Sequence, residues 1–257
     1  MNSRYWRYLA GAAAARAGDE MSGPALLLLA FAITRSATAG SAVLAGLTIA
    51  AALGGPMFGV LVDRSQRPPR VLAVALAGYA AGLTVLLLSV GRLPLAVVVV
   101  LAAITGLFNP AVAGGWSSQV PRLVSEPDLP RASALDGLTF STAGLVGPAL
   151  AAGIAAWAGA RLATGVAAAL VALAVPAALS VAGRSRAVSA ETAGVWRQLA
   201  EGFGVILSRP RLRRATATSV VSYVGIGMLI VCIPVLGQQR LGASDRGALL
   251  LSALAVV

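Results

Sequence analysis

Lysine and histidine are both missing from this 257-residue chain, and cysteine occurs once, at Cys232. Without lysine there is no P-loop, because that phosphate cradle needs its lysine against the phosphates. Without histidine there is no Ser-His relay, no Cys-His pair and no histidine-containing zinc site. A lone cysteine forbids a disulfide within the chain, and Cys232, set in an apolar run, reads as a small packing residue. No separated pair of acids inside an apolar run suggests a catalytic dyad, so the expectation is no enzyme, no cofactor and no metal. Charge is scarce as well: charged residues make up 11% of the sequence, against about 25% in an ordinary soluble domain.

Apolar residues take the remainder, at 58% of the chain and a mean hydropathy of +0.85. Uncharged stretches run from Ser36 to Val62, Val71 to Val90, Leu93 to Val120, Gly137 to Ala160, Leu162 to Gly183 and Ala215 to Leu236. Each is long enough to cross about 30 Å of hydrocarbon as a helix. A further span, Tyr8 to Thr34, precedes them and alone carries charges within it. Arg4 and Arg7 ahead of small apolar residues suggest a signal peptide, yet Arg16, Asp19 and Glu20 interrupt the stretch before an adequate h-region forms. The stretch reads as a retained helix. The final run, Gly247 to Val257, covers about half of the membrane core at ~1.5 Å per residue.

The net charge is +11, but the arginines occupy short loops between apolar runs and form no basic face with interleaved aromatics, so nucleic acid is not an expected partner. Topology accounts for them instead. Arg4, Arg7, Arg64, Arg67, Arg70, Arg122, Arg131, Arg184, Arg186, Arg197, Arg209, Arg211, Arg213 and Arg214 fall on one side of the alternating spans, and only Arg35, Arg92, Arg161, Arg240 and Arg246 on the other. The positive-inside rule then puts the N-terminus in the cytoplasm of a multi-pass cell-membrane protein whose first partner is the lipid bilayer.

The expected fold is all-α, a polytopic transmembrane bundle in three parts: a six-helix bundle over 1–183, an Arg-rich cytoplasmic connector over 184–214, and the start of a second bundle over 215–257. Within the connector, Trp196, Leu199, Phe203 and Ile206 recur at helical spacing while Arg197, Gln198 and Glu201 take another face. That pattern suits a helix lying along the headgroups, or a solvated helix packed on its own bundle. Gly23 to Ala51 and Gly225 to Val257 also echo one another weakly, as parallel repeats do in some transporters.

At the end of the second span, Gly59, Asp63, Arg64 and Arg67 fall in place in a pattern G-x-x-x-D-R-x-G-R-R, with Gln66 and Pro68 departing from it and Arg70 following. This resembles the signature between the second and third helices of the major facilitator superfamily. In the fifth span, Gly144, Gly147 and Pro148 resemble the G-x-x-x-G-P-x-x-G-G pattern of that superfamily's antiporters, with Ala151 and Ala152 in place of the last glycines. Phe108-Asn109-Pro110, Pro121-Arg122-Leu123-Val124 and the passage Leu129 to Gly137, with the Gly18-Asp19 pair, are similar to the drug, macrolide and siderophore exporters within it.

The resemblance implies a secondary exporter working by alternating access between two helix bundles, with a small-molecule substrate and protons as partners. It implies an acid-and-arginine latch at Gly59, Asp63, Arg64, Arg67 and Arg70 that engages a C-terminal bundle, the greater part of which would lie beyond this chain; the chain reads as stopping after the start of an eighth helix. Asp63 and its arginines could otherwise simply fix topology. Gly144, Gly147 and Pro148 would supply a bend or a small-residue packing face.

Arg16, Asp19 and Glu20 read as the only ionisable residues well inside a span, where each isolated charge costs roughly 2.5–3.5 kcal/mol. Arg16 can meet Asp19 at i+3 and Glu20 at i+4, which offsets that cost locally. Alternatively one carboxylate faces a central cavity and exchanges a proton. The function expected is therefore proton-coupled efflux of a hydrophobic or amphiphilic compound; the alternative is a truncated, non-transporting fragment or a membrane scaffold.

Overall fold

The computed structural model describes residues 3–180 and 195–241. Six long helices come first: α1 (Ser3–Thr34), α2 (Ala37–Arg64), α3 (Pro68–Ser89), α4 (Leu95–Gly106), α5 (Leu129–Ala158) and α6 (Ala160–Ser180). They are followed by α7 (Val195–Ser208) and α8 (Pro210–Leu241). Among the described residues there is no strand.

Among the described residues, five segments are long and apolar enough to cross a membrane: Ala37–Val62, Pro68–Ser89, Leu95–Ser117, Glu126–Ala158 and Ala160–Ser180. Their outer faces demand lipid. Ile49, Leu53, Val74 and Leu173 are 63–69% exposed, and in hydrocarbon a helix is the form in which a single segment satisfies its own backbone. The chain is thus an all-α, multi-pass membrane bundle.

Local sequence sets the helix ends. The Ser36 hydroxyl accepts from the Ala39 N–H at 3.2 Å and caps α2. Pro68, which departs from the loop signature, opens α3, where its fixed φ and missing N–H suit the first turn. Gly159, at φ +89°, ends α5 and turns the chain at once into α6.

α1 is the hub, packed on α5 and α6, while α3 closes against α6 and α2 against α4. Leu26 and Leu29 of α1 share a core with Leu72, Leu76, Tyr79, Leu83 and Leu86 of α3. Gly18 makes the α1–α6 approach possible, since a Cβ there would lie 2.6 Å from the Ala167 carbonyl oxygen. The Tyr5 hydroxyl donates to the Ala132 carbonyl at 2.8 Å, which sets the starts of α1 and α5 on the same edge, as the arginine loops require.

Two span boundaries differ from the sequence expectation. The Leu93–Val120 run is not one continuous helix: α4 stops at Gly106, and the chain continues through a 3-10 turn at Asn109–Ala111 and single turns of α-helix at Gly114–Ser117 and Val120–Leu123. Pro110 and Pro121 lack an N–H for the ladder, and Gly114-Gly115 weakens the helix between them. The fifth span starts at Leu129 rather than Gly137, which draws Asp136 inside the bundle.

Beyond the six helices, Val195–Ser208 is helical as the connector pattern requires, with Arg197 Nε on Glu201 Oε1 at 2.9 Å. Residues 181–194 and 242–257, and with them part of the connector and about half of the second arm of the repeat echo, lie outside the described residues. Cys232, expected to be packed, is exposed on α8.

Candidate functional site

Among the described residues, two polar clusters are built on ionisable side chains inside the bundle, one helical turn apart along α1. The first is built on Arg16, which is 1% exposed. Its Nη1 donates to Asp136 Oδ1 at 2.8 Å and to the Asp136 carbonyl at 2.8 Å. Its Nη2 reaches Asp136 Oδ2 at 3.2 Å and Ser117 Oγ at 3.0 Å, and Nη1 also donates to Thr139 Oγ1. Tyr8 donates to Asp136 Oδ1 at 2.6 Å and Ser117 to Oδ2 at 2.7 Å. The Phe140 ring lies 3.8 Å from the guanidinium carbon, adding a cation–π contact. Arg16 and Asp136 neutralise one another, and the pair ties α1, α5 and the broken fourth segment together.

This corrects the local pairing. Arg16 does not turn to Asp19 or Glu20 but across to α5, and the in-span ionisable residues include Asp136. The sequence did hold a signal: Leu129-Pro130 places a proline in a first helical turn, two positions past Asp128, and a helix begun there carries Asp136 inward.

The second cluster surrounds Asp19. Tyr79 of α3 donates to Asp19 Oδ1 at 2.6 Å, and Asn109 Nδ2 donates to the same oxygen at 2.5 Å. Asn109 Nδ2 also lies 3.3 Å from the Tyr79 hydroxyl. Ser22 donates to the Asp19 carbonyl at 2.7 Å and sits 3.0 Å from the Tyr79 hydroxyl. Among the described residues no cation pairs with Asp19. Its carboxyl is held by a phenol and an amide, both neutral. Tyr79 had no sequence signal of its own, since it lies in a plain apolar helix; Asn109 stands in the Phe108-Asn109-Pro110 segment that carried the resemblance, but nothing there placed it beside Asp19.

Glu20 belongs to neither cluster. Its side chain makes no hydrogen bond among the described residues, and its Cβ lies 2.5 Å from where a Gly147 side chain would begin. Gly147 therefore serves α1–α5 approach, whereas nothing lies within 4 Å of a Cβ at Gly144. α5 runs unbroken through Pro148.

Of the latch residues, Arg64 ends α2, Arg67 precedes α3 and Arg70 lies in its first turn, all three exposed. The Asp63 side chain lies outside the described residues. Arg64 and Arg70 border an apolar groove of about 640 Å³ between α2 and α3. Gly59 instead borders a cavity of about 540 Å³ between α2 and the broken fourth segment, whose wall includes Ala51, Phe58, Val62, Asn109 and Ser118. Asn109 is thus shared between this cavity and the Asp19 cluster.

Comparison with known proteins follows the same line. Residues 8–257 match the Major Facilitator Superfamily. An uncharacterised MFS-type transporter, y4rN, of Sinorhizobium fredii (strain NBRC 101917 / NGR234) is 33% identical over 217 residues, covering 82% of this chain and 52% of that protein. The chain spans about half the length of this curated relative. Among solved structures, a D-xylose-proton symporter matches with a TM-score of 0.56 at 12% identity, over 98% of this chain and 65% of that one, a likeness of fold alone.

Proposed function

The chain belongs to the Major Facilitator Superfamily, and on that premise we propose that it serves proton-coupled efflux of a hydrophobic or amphiphilic small molecule by alternating access across the cell membrane, with its N-terminus in the cytoplasm. The observation that carries this reading is the Asp19 carboxyl, set mid-helix on neutral donors. A carboxyl without a cationic partner changes the net charge of its surroundings when it takes or gives a proton, and an ionisable group inside a span is a functional candidate by default. Glu20, one residue on, is the second candidate. Arg16, grouped with them by sequence, acts in this scheme as a positioning residue, holding α1 in register through Asp136.

Gly59, Asp63, Arg64, Arg67 and Arg70 form, in the same proposal, a charge-assisted catch at the inner edge of the bundle, made in one state and released in the other. Of the glycine-proline pattern on α5, Gly147 supplies close packing against α1, Pro148 a weakened backbone ladder and Gly144 an open face, where two bundles rock.

Dye efflux tests the proposal. Energised cells expressing the chain should expel rhodamine 6G faster than cells expressing Asp19→Asn, and a protonophore should remove the difference. Equal efflux from both, or efflux indifferent to the protonophore, rules it out.

A further inference from the structure

Asn109 touches two things at once. Its Nδ2 donates inward to Asp19 Oδ1 and lies near the Tyr79 hydroxyl, while the residue lines the 540 Å³ cavity beside α2. With Nδ2 turned inward, the Oδ1 of the same amide has no donor among the described residues. It is not sealed off, because the buried side-chain polar atoms lacking a partner among the described residues are Arg16 Nε and Trp116 Nε1. The amide oxygen is therefore accessible, on a residue that lines the cavity. The rest of the wall is small or apolar, and Ser118, the other polar side chain there, is already engaged with the Gly115 carbonyl at 2.8 Å.

We propose that this cavity is a ligand site, that it takes a small amphiphile bearing an N–H or O–H donor, and that Asn109 makes ligand and proton compete. The inference rests on the reading that Asp19 is the coupling carboxyl. Its volume lies within the range of small-molecule pockets, which are mostly apolar with a few placed polar groups. An amide that donates to a carboxylate is polarised along its length, so its oxygen becomes a stronger acceptor. When Asp19 is protonated that polarisation falls, and the ligand loses hold. By linkage, a ligand on Asn109 Oδ1 disfavours the proton on Asp19 by the same factor.

The surroundings leave Asp19 as the group that switches. Glu20 adjoins it on α1, Tyr79 faces it from α3, and Arg16 is committed to Asp136 of α5. The described charges of α2 and α6, Arg64 and Arg161, lie at the ends of those helices.

Binding of monodansylcadaverine, a fluorescent primary amine, to the full chain in lipid nanodiscs tests this. The amine stays cationic between about pH 5.5 and 8, so any pH dependence belongs to the protein. The wild type should bind it about threefold more tightly at the higher pH, the share of a hydrogen bond that polarisation supplies. The analogue with a trimethylammonium head and an N-methylated sulfonamide, which keeps the charge but has no N–H donor, should lose most of that dependence. Asn109→Ala should lower affinity about tenfold at high pH and flatten the profile. Gly114→Leu should abolish binding at both pH values; a Cβ at this wall position meets nothing within 4 Å, so the side chain enters open space without disturbing Asp19. Wild-type affinity and pH profile in Asn109→Ala, or wild-type binding in Gly114→Leu, overturns the inference. A flat profile in Asp19→Asn beside an unchanged one in Asn109→Ala keeps the coupling reading and removes Asn109 from it. An unchanged profile in Asp19→Asn removes the coupling reading itself.

Discussion

Arg16 of α1 and Asp136 of α5, 120 residues apart in sequence, meet at 2.8 Å with the guanidinium 1% exposed. The carboxylate is saturated by Arg16, Tyr8 and Ser117. A pair so enclosed contributes little net stability against an apolar substitute, but it cannot be halved cheaply. Its value is registry: it fixes which turn of α1 faces α5, and so where Asp19, one turn on, is presented.

That asymmetry gives a stability prediction. Arg16→Met or Asp136→Leu alone should destabilise the chain by about 3–5 kcal/mol, because each leaves the other charge buried and unpaired. The double variant Arg16→Met with Asp136→Leu should recover much of the loss. Thermal unfolding in detergent, followed by tryptophan fluorescence, reads this; additive losses would mean that the two side chains act independently.

Tyr79 is the second case. Tyr79→Phe keeps the ring in the α3 core and removes the O–H that Asp19 accepts. The loss should be about 1.5–3 kcal/mol, as for a hydrogen bond to a charged group. Combined with Asp19→Asn it should cost less than the two single changes together, measured in the same unfolding assay. Strict additivity would show that the 2.6 Å contact carries no coupling energy.

The six-helix bundle could be read from the chain because hydrocarbon-length apolar runs and arginine-bearing loops are local features. Asp19 could be found for the same reason: a charge in such a run stands out whatever surrounds it. The contacts of Tyr79 and Asn109 with it could not, because they are defined by helices meeting across 60 and 90 residues of sequence. Asp136 was concealed by a boundary. Reading for uncharged stretches ends a span at each charge, whereas a helix passes through a charge whose partner, here Arg16, waits on a neighbour. The break after Gly106 was equally hidden, since hydropathy does not distinguish a continuous helix from apolar turns around Pro110.

Gly144 and Gly147 separate the two meanings of the glycine-proline pattern. Gly147→Val should destabilise the bundle by about 1–3 kcal/mol, since its side chain would meet Glu20 Cβ and the Met21 backbone. Gly144→Ala meets open space and should be neutral or stabilising by roughly 0.5–1 kcal/mol, the ordinary gain in a helix interior. If Gly144→Ala leaves stability intact yet slows dye efflux, the position matters for motion; if both variants behave alike, close packing does not distinguish them.

The arginine pattern predicts a sidedness that labelling can decide. In a Cys232→Ser background, Arg67→Cys, in the exposed turn between α2 and α3, should be reached by a membrane-impermeant maleimide only after cells are opened. Arg92→Cys, in the exposed turn after α3, should be labelled in intact cells. The two positions flank a single helix, Pro68–Ser89, so they must lie on opposite faces whichever way the bundle is inserted. Labelling of both from one side would therefore refute α3 as a membrane span, and labelling with the sides exchanged would invert the topology, moving the Arg64–Arg70 catch outside and with it the direction of transport.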